Sequence, residues 1–186
     1  VVLGLPNAMV YTANIEVGGL PRKGRRTAML YRLEEQLPLE AEQLTADFLE
    51  PSVGRCLGMA VQSQAAQNLL DDLARLQVEI AVICPTAMLA LSQLLRSKHN
   101  STDHFLMLHE ERAELFRISG GRPTSWYSAT AREEEITRLI RADLLSQPTD
   151  TDEPALSLVG DAGSDLLGSL TGETGVKIKH HAKDDM

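Results

Sequence analysis

The stretch from residue 55 to 98 constrains the fold of this chain most, because strand and helix patterns alternate along it. Residues 55 to 62 have the composition of a strand, and leucines at helical spacing follow them up to residue 76. Residues 78 to 84 form a short run that is apolar except for Glu79 and predicts a strand buried on both faces. Residues 86 to 98 predict a second helix. This order of strand, helix, strand and helix is typical of a layer of an α/β protein.

Two further strands and a helix are predicted before this stretch. β-branched and aromatic residues alternate from position 9 to 17, which indicates a strand. Residues 24 to 37 place apolar side chains on one helical face, and Pro38 ends this helix because proline disfavours helical geometry in the residue before it. Another strand is predicted near residues 43 to 49.

The second half of the chain begins with three short strand patterns, which predict an antiparallel meander. The acidic group at 110–112 and the turn sequence GGRP at 120–123 separate the strands. A helix with three glutamates in its first turn follows, then a strand, a short helix and a last strand. The predicted strands span 104–108, 113–119, 124–129, 156–159 and 176–179, and the longer helix spans 131–145.

Composition excludes several classes of protein. With 18 basic and 26 acidic residues among 186, the net charge is −8, which argues against a general nucleic-acid binder. No stretch approaches the roughly 20 apolar residues of a membrane span. Cys56 and Cys84 lie in apolar runs, which predicts free thiols in a reducing compartment. The start, VVLGLP, has neither Met nor a charged signal segment, so we expect a fragment of a longer protein.

Several short sequence motifs in the first half of the chain resemble those of a known family. These are LGLP at 3–6, LP at 20–21, AMLYRLEEQLP at 28–38, DF at 47–48 and AV at 60–61. Their order resembles the cytoplasmic domain of the general secretion pathway protein L family of type II secretion and of the related PilM-type pilus assembly proteins. The resemblance covers most of residues 1 to 181, and its most specific stretch is 20 to 48.

This resemblance implies an α/β fold of two ribonuclease H-like lobes, as in the actin-like ATPase superfamily, with mixed sheets covered by helices. The first lobe would span residues 1–99 and the second residues 100–181, with a tail at 182–186. The implied function is a non-enzymatic scaffold of a bacterial secretion or pilus inner-membrane platform, which docks the cytoplasmic secretion ATPase. The alternative is a PilM-type, nucleotide-binding actin-like pilus assembly protein.

The same resemblance implies a location in the cell and a set of partner proteins. The domain would lie at the cytoplasmic face of the bacterial inner membrane and would reach the membrane only through segments outside this chain. Its partners would be the secretion or pilus ATPase and other platform proteins, with homodimerisation as a further expectation and no nucleic acid.

The residues themselves argue against a nucleotide site. Actin-like ATPases bind phosphates with glycine-bearing turns, because backbone N–H groups must approach the phosphates closely. The corresponding turn, LHEERA at 108–113, has no glycine and carries two carboxylates. The remaining weak candidates are Gly160, Gly163 and Ser164, beside which Asp161 would compete with phosphate for the helix end. We therefore predict no bound cofactor and no catalytic residue.

Metal-dependent chemistry is also disfavoured by the sequence. Histidines recur at positions 99, 104 and 109, a spacing that matches no common zinc pattern. The acidic cluster of a ribonuclease H-type nuclease would have to come from Asp103, Glu110, Asp161 and Asp165. Because the chain is acidic and has no basic surface for a nucleic-acid strand, we expect neither a nuclease nor a metal site.

One dense positive patch precedes the first predicted helix. It contains Arg22, Lys23, Arg25 and Arg26. The patch is a candidate partner-binding site for an acidic protein or for the anionic inner leaflet. The alternative interpretation is a solvated helix entrance.

Overall fold

The computed structural model divides the chain into two compact units, Val1–Lys98 and His99–Met186, called unit 1 and unit 2. It describes residues 1–52, 54–96, 104–109, 111–146, 155–160 and 164–181. Within these ranges no helix has the length and apolar character needed to cross a membrane.

Unit 1 contains five strands and three α-helices, with two short 3₁₀ turns at Asn7–Met9 and Ala41–Gln43. The strands are β1 (Val2–Leu5), β2 (Tyr11–Glu16), β3 (Leu44–Ser52), β4 (Arg55–Gln62) and β5 (Val82–Pro85). The helices are α1 (Arg25–Glu34), α2 (Ser63–Arg75) and α3 (Thr86–Arg96). The predicted helices and the predicted strands at 9–17, 43–49 and 55–62 are thereby confirmed, whereas β1 was not expected.

The larger sheet of unit 1 is antiparallel, in the order β2–β4–β3, and its core lies under α1. Met29 and Leu33 of α1 are buried against this sheet. Gly58 in the central strand makes this close packing feasible, because a Cβ at this position would lie 2.8 Å from the Leu33 side chain. The missing side chain therefore lets the helix approach the sheet.

The smaller sheet of unit 1 contradicts one prediction. The apolar run 78–84 was expected to be a strand buried on both faces, but β5 begins only at Val82, whose exposure is 52%. β5 pairs in parallel with β1, and the two form a sheet of their own. A continuous apolar run predicts a doubly buried strand only where other strands and layers cover it. The described residues provide no further strand for this sheet, so the prediction was wrong.

Unit 2 contains five strands and two helices in one mixed sheet with the order β10–β9–β6–β7–β8. The strands are β6 (His104–His109), β7 (Arg112–Ser119), β8 (Arg122–Thr130), β9 (Ala155–Val159) and β10 (Lys177–His181). The helices are α4 (Glu133–Ser146) and α5 (Ser164–Thr174). β6, β7 and β8 form the predicted antiparallel meander, whereas β9 pairs in parallel with both β6 and β10.

Two local features explain how unit 2 is built. Gly120 and Gly121 connect β7 to β8 with φ values of 57° and 73°, the left-handed geometry that a tight two-residue hairpin requires. Apolar side chains from α4 and α5 pack on one face of the sheet around Leu106, Leu115 and Leu158, all at most 1% exposed. This face forms the core of unit 2.

Candidate functional site

The turn region expected to hold phosphate lies where β6 and β9 end side by side. Gly160, directly after β9, has a φ of 116°, and a Cβ there would overlap the carbonyl oxygen of Leu108 in β6. The main-chain oxygen of Gly160 lies 2.9 Å from Nε2 of His180. Gly160 is therefore explained by close contact with the neighbouring strand, a contact that only glycine permits.

The rest of the predicted site adds no described phosphate ligand. Ser164 is the first residue of α5, whereas Gly163 and Asp161 lie outside the described residues. On the other side of the site, His109 and Glu111 are exposed at the turn between β6 and β7. A carboxylate near this turn repels phosphate, and Gly160 is the one glycine among the described residues of this region.

The residues considered for a metal site are dispersed. Within the described ranges, no group of three or more His, Cys, Asp and Glu side chains is arranged to hold a metal ion. His104 is buried, whereas His109 is exposed at the far end of the same strand. The positions 99, 103 and 110 named for zinc or nuclease chemistry lie outside the described residues, as does Asp161.

The basic patch contains two cations with partners in unit 1, Arg25 and the largely exposed Arg26, and two that lie in the turn before α1, Arg22 and Lys23. Arg26, in the first turn of α1, donates to Asp47 Oδ1 at 3.2 Å and to the main-chain oxygen of Ala46 at 2.7 Å. Its guanidinium also lies 5.6 Å from the ring centroid of Phe48. These contacts of Arg26 therefore link α1 to β3.

The other three cations of the patch differ in exposure. The guanidinium of Arg25 is half-buried and lies 3.5 Å from the main-chain oxygen of Val17. Arg22 and Lys23 are exposed in the turn before α1. Only the last two present their charge freely to solvent or to a partner.

Sequence reasoning missed a buried carboxylate in β7, the strand next to the β8 edge of the unit 2 sheet. Glu114 of β7 is 1% exposed and accepts hydrogen bonds from Trp126 Nε1 at 2.6 Å and Ser128 Oγ at 3.2 Å. The Nε of Arg112 lies 3.5 Å from the same carboxylate. Burial raises the pKa of Glu114, although these donors oppose the rise. The only signal in the sequence was one acidic residue between the apolar residues Ala113 and Leu115 of the predicted strand.

A second buried polar cluster joins α4 to the sheet. His104 Nε2 lies 3.1 Å from Asp143 Oδ2 and 3.1 Å from Arg117 Nε, and all three side chains are at least nine-tenths buried. A single ring nitrogen cannot accept from Arg117 and donate to Asp143 at once. Arg117 Nε donates to His104 Nε2, so this nitrogen accepts, and Asp143 Oδ2 lies 3.5 Å from Arg117 Nε as an ion-pair partner.

This cluster could have been suspected from the spacing of residues in α4. Asp143 follows the core residues Ile136 and Ile140 at helical spacing and therefore lies on the apolar face of the helix. A carboxylate in that position requires buried donors, because an isolated buried charge is costly. The Glu114 carboxylate accepts hydrogen bonds from its neighbours, whereas Asp143 Oδ2 is buried with ion-pair contacts to His104 and Arg117 but no hydrogen bond among the described residues. Both clusters link elements of unit 2, which indicates a structural role.

The chain was compared with known proteins. No protein-family model and no curated protein sequence matches it. Among solved structures, it is similar to the cytoplasmic domain of EpsL, an inner-membrane component of the type II secretion system of Vibrio cholerae. The TM-score is 0.62 with 12% identity, over 92% of this chain and 72% of that chain.

Two other solved structures are also similar. A chain of the PilM–PilN type IV pilus biogenesis complex gives a TM-score of 0.72 with 19% identity, over 97% of this chain and 68% of that one. A Bacteroides thetaiotaomicron protein of unknown function with an actin-like ATPase fold gives a TM-score of 0.62 with 7% identity, over 97% of this chain and 67% of that chain. Identities this low establish the fold alone, and the actin-like fold expected from the order of elements is confirmed.

Proposed function

We propose that this chain is a non-enzymatic scaffold domain of a bacterial secretion or pilus platform, at the cytoplasmic face of the inner membrane. In this role it binds the cytoplasmic secretion or pilus ATPase through protein–protein contacts. The fold supports the proposal, because its solved neighbours include a secretion-system component of the inner membrane and a pilus biogenesis complex.

The observation that carries the non-enzymatic part is the contact between Gly160 and the carbonyl of Leu108. In a phosphate-binding turn, glycine leaves room for the ligand and directs N–H groups toward it. Here the space beside Gly160 is taken by the backbone of β6, and the facing turn carries Glu111 in place of a glycine. Catalysis of phosphoryl transfer depends on positioning and on stabilising negative charge, and the described residues of this region offer no side chain for either.

The docking surface of the proposal is the exposed half of the basic patch, Arg22 and Lys23. The chain carries a net charge of −8, so this turn is a local positive feature on an acidic protein. An acidic segment of the ATPase would complement it, and exposed charges act mainly on the association rate and its salt dependence. Arg25 and Arg26 would hold the turn in place through their contacts with Val17, Ala46 and Asp47.

Binding to the purified secretion or pilus ATPase from the same organism tests the proposal. The double variant Arg22→Glu/Lys23→Glu should weaken binding at least about tenfold at low salt, and less at high salt because exposed charges are screened. The matched control Arg122→Glu/Lys177→Glu reverses two exposed cations of unit 2 and should leave affinity unchanged. A folded chain that binds no motor or platform component contradicts the proposed function.

The alternative function is a PilM-type nucleotide-binding protein. It is favoured by the actin-like ATPase fold and by α5, which begins shortly after Gly160 and so directs a helix N-terminus toward that region. Calorimetry with Mg-ATP separates the two functions. Binding in the micromolar range would overturn the non-enzymatic proposal, whereas no detectable binding at millimolar nucleotide would exclude the alternative.

A further inference from the structure

The sheet of unit 2 has two edge strands that differ in charge. In the order β10–β9–β6–β7–β8, the edges are β10 and β8. β10 has the sequence KIKHH, and lysines on an edge strand oppose pairing with another chain. The last seven residues of β8, TSWYSAT at 124–130, carry no charged side chain and are rich in residues that favour strands. This part of β8 therefore lacks the charge that usually protects an edge.

One hydrogen bond shows which backbone groups of β8 face outward. Ala131 N–H donates to the main-chain oxygen of Glu111 at 2.8 Å, so the backbone of Ala131 faces β7. The register between β7 and β8 has no shift over residues 125 to 130. Because backbone groups alternate in direction along an antiparallel strand, three residues direct theirs away from β7, namely Trp126, Ser128 and Thr130. Among the described strands, β8 pairs with β7 alone.

Another strand can reach this edge without meeting an uncompensated charge. Ser128 and Thr130 are exposed, and Tyr127 and Ala129 are half-buried. The cation beside the edge is Arg112, which donates to Ser128 Oγ and lies 3.5 Å from a buried carboxylate. The charge of Arg112 is thereby compensated within unit 2.

We infer that the β8 edge is a homodimerisation surface, on which the same edge of a second copy pairs in the antiparallel direction. A two-fold axis at Ser128 pairs every outward-facing residue, because Ser128 then lies opposite its counterpart and Trp126 lies opposite Thr130 of the second copy. The pairing adds about six backbone hydrogen bonds and joins the two sheets into one continuous sheet. It also places the ring of Tyr127 beside Ala129 of the second copy, where the two side chains pack as a cross-strand pair.

A second copy fits this edge better than an unrelated segment. A two-fold axis makes the two edges antiparallel, which continues the pairing that β6, β7 and β8 already have. Ser128 and Ala129, at and beside the axis, have small side chains, so the strands can approach to the spacing of about 4.8 Å that a sheet requires. Pairing of two such edges buries less than the roughly 1,200 Å² of a standard interface, so the dimer is weak and depends on concentration.

Sedimentation equilibrium of the 186-residue chain tests the inference. Between about 10 µM and 1 mM the chain should shift from monomer to dimer, with a Kd of about 10–500 µM. Each copy carries a net charge of −8, so overall repulsion opposes association. Raising the salt concentration from about 50 to 500 mM should therefore strengthen the dimer, because salt screens this repulsion. A dimer that weakens with salt would be held by charge and would contradict the inference.

Two substitutions at Thr130 separate backbone pairing from side-chain contact. Thr130→Pro removes an outward-facing N–H and leaves the hydrogen bonds between β7 and β8 in place, so it should raise the Kd at least about tenfold. Thr130→Ala is the matched control, since it keeps this N–H and should change the Kd by less than about twofold. Circular dichroism checks that both variants fold. If Thr130→Pro does not fold, disulfide cross-linking decides the outcome.

Disulfide cross-linking also tests the position of the two-fold axis. In a Cys84→Ser background, Tyr127→Cys and Ala129→Cys place thiols opposite each other in the dimer, with Cα atoms about 4.5–5.5 Å apart. Cys56 is 1% exposed and should not react. An equal mixture of the two variants oxidised with diamide should form a covalent dimer. Either variant alone should form at least about tenfold less, because identical residues are then out of register and too far apart.

Hydrogen–deuterium exchange of the Ser128 and Thr130 amides identifies the occupant of the edge. Under the inference, both amides exchange more slowly as the protein concentration rises. Slow exchange at every concentration would assign the edge to a segment of the same chain, and slowing only after a purified secretion ATPase is added would assign it to a partner. Either result would overturn the inference. A chain that stays monomeric at about 1 mM, or equal cross-linking of the mixture and the single variants, would overturn it as well.

Discussion

The β1–β5 sheet of unit 1 and the β6–β9–β10 strands of unit 2 are both parallel, yet they differ sharply in burial. Val82 is 52% exposed in the first, whereas Leu158 is 0% exposed in the second. Both regions are rich in apolar residues, so composition does not explain the difference. It arises because β9 has a strand on each side and helices over its apolar face, whereas within the described residues β1 and β5 have only each other as strand neighbours and pack against one helix, α3.

This contrast bears on how to interpret apolar runs. Parallel sheets are stable when both faces are covered, and their strands accordingly carry continuous apolar residues. The run at 78–84 has the sequence of such a strand without the cover. An apolar run therefore indicates what a strand is suited to contact, and the tertiary structure decides whether that contact is made.

The largest effect on stability is expected from removing a charged side chain that is buried beside the unit 2 sheet. Asp143→Ala removes the carboxylate beside His104 and Arg117 and leaves buried polar groups without compensation. We expect it to lower the free energy of unfolding of unit 2 by about 3–5 kcal/mol. Urea denaturation followed by fluorescence of Trp126, the single tryptophan, measures the change.

The control for Asp143→Ala is Glu173→Ala. Glu173 is half-exposed in α5 and pairs with Arg141 at 3.7 Å, so its removal should change the unfolding free energy by less than about 0.5 kcal/mol. Equal losses from the two substitutions would show that the buried cluster contributes no more than a surface pair.

A pair of truncations tests the contrast in burial directly. Leu158→Ala creates a cavity in the core of unit 2 and should lower the free energy of unfolding by about 2–5 kcal/mol. Val82→Ala removes a half-exposed side chain and should cost less than about 1 kcal/mol. Circular dichroism during urea denaturation measures both. A cost for Val82→Ala that matches Leu158→Ala would break the comparison between the two sheets.

A smaller effect concerns the pH dependence of the covered sheet. Burial raises the pKa of Glu114 in the folded state above its value in the unfolded chain, so the folded state binds the proton more tightly. The resulting stabilisation is complete below the unfolded pKa and is lost as pH rises through the folded pKa. Relative to Glu114→Gln, which does not titrate, the wild-type protein should therefore lose stability as pH rises above about 4.5, the ordinary pKa of a glutamate.

Urea denaturation of both proteins across this pH range measures the Glu114 effect. A difference between wild type and Glu114→Gln that is constant with pH would mean that the hydrogen bonds from Trp126 and Ser128 cancel the effect of burial. The open β1–β5 sheet provides a useful contrast, because its strands β1 and β5 contain no acidic residue.

Much of the fold was predictable because local signals agreed with the tertiary structure. The glycine pair at 120 and 121 predicted a turn, and both residues adopt the positive φ that it requires. The end of α1 was predicted less exactly, since the helix was expected to reach residue 37 before Pro38 but ends at Glu34. The candidate site was less predictable, because Gly160 resembles a phosphate-turn glycine in sequence but is explained by contact with Leu108.

The buried polar clusters show why the sequence alone could not identify the residues that form them. Glu114, His104 and Asp143 are ordinary polar residues until their partners are known. Those partners come from other strands and from α4, at separations of 12 or more residues, and pairing at such distances leaves no local pattern. The basic patch divides in the same way, since only the structure shows that Arg26 is held by Asp47 while Arg22 is exposed.

By itself, the sequence determined the helices, most strands, the meander and the α/β class, because these depend on periodicity and turn residues within short windows. It also determined the absence of glycine from the turn at 108–113. Only the tertiary structure decided which strands are covered, which charges are buried in pairs, and why Gly160 must be glycine. These properties depend on neighbours distant in the chain, and burial is a property of the assembled layers, not of any single segment.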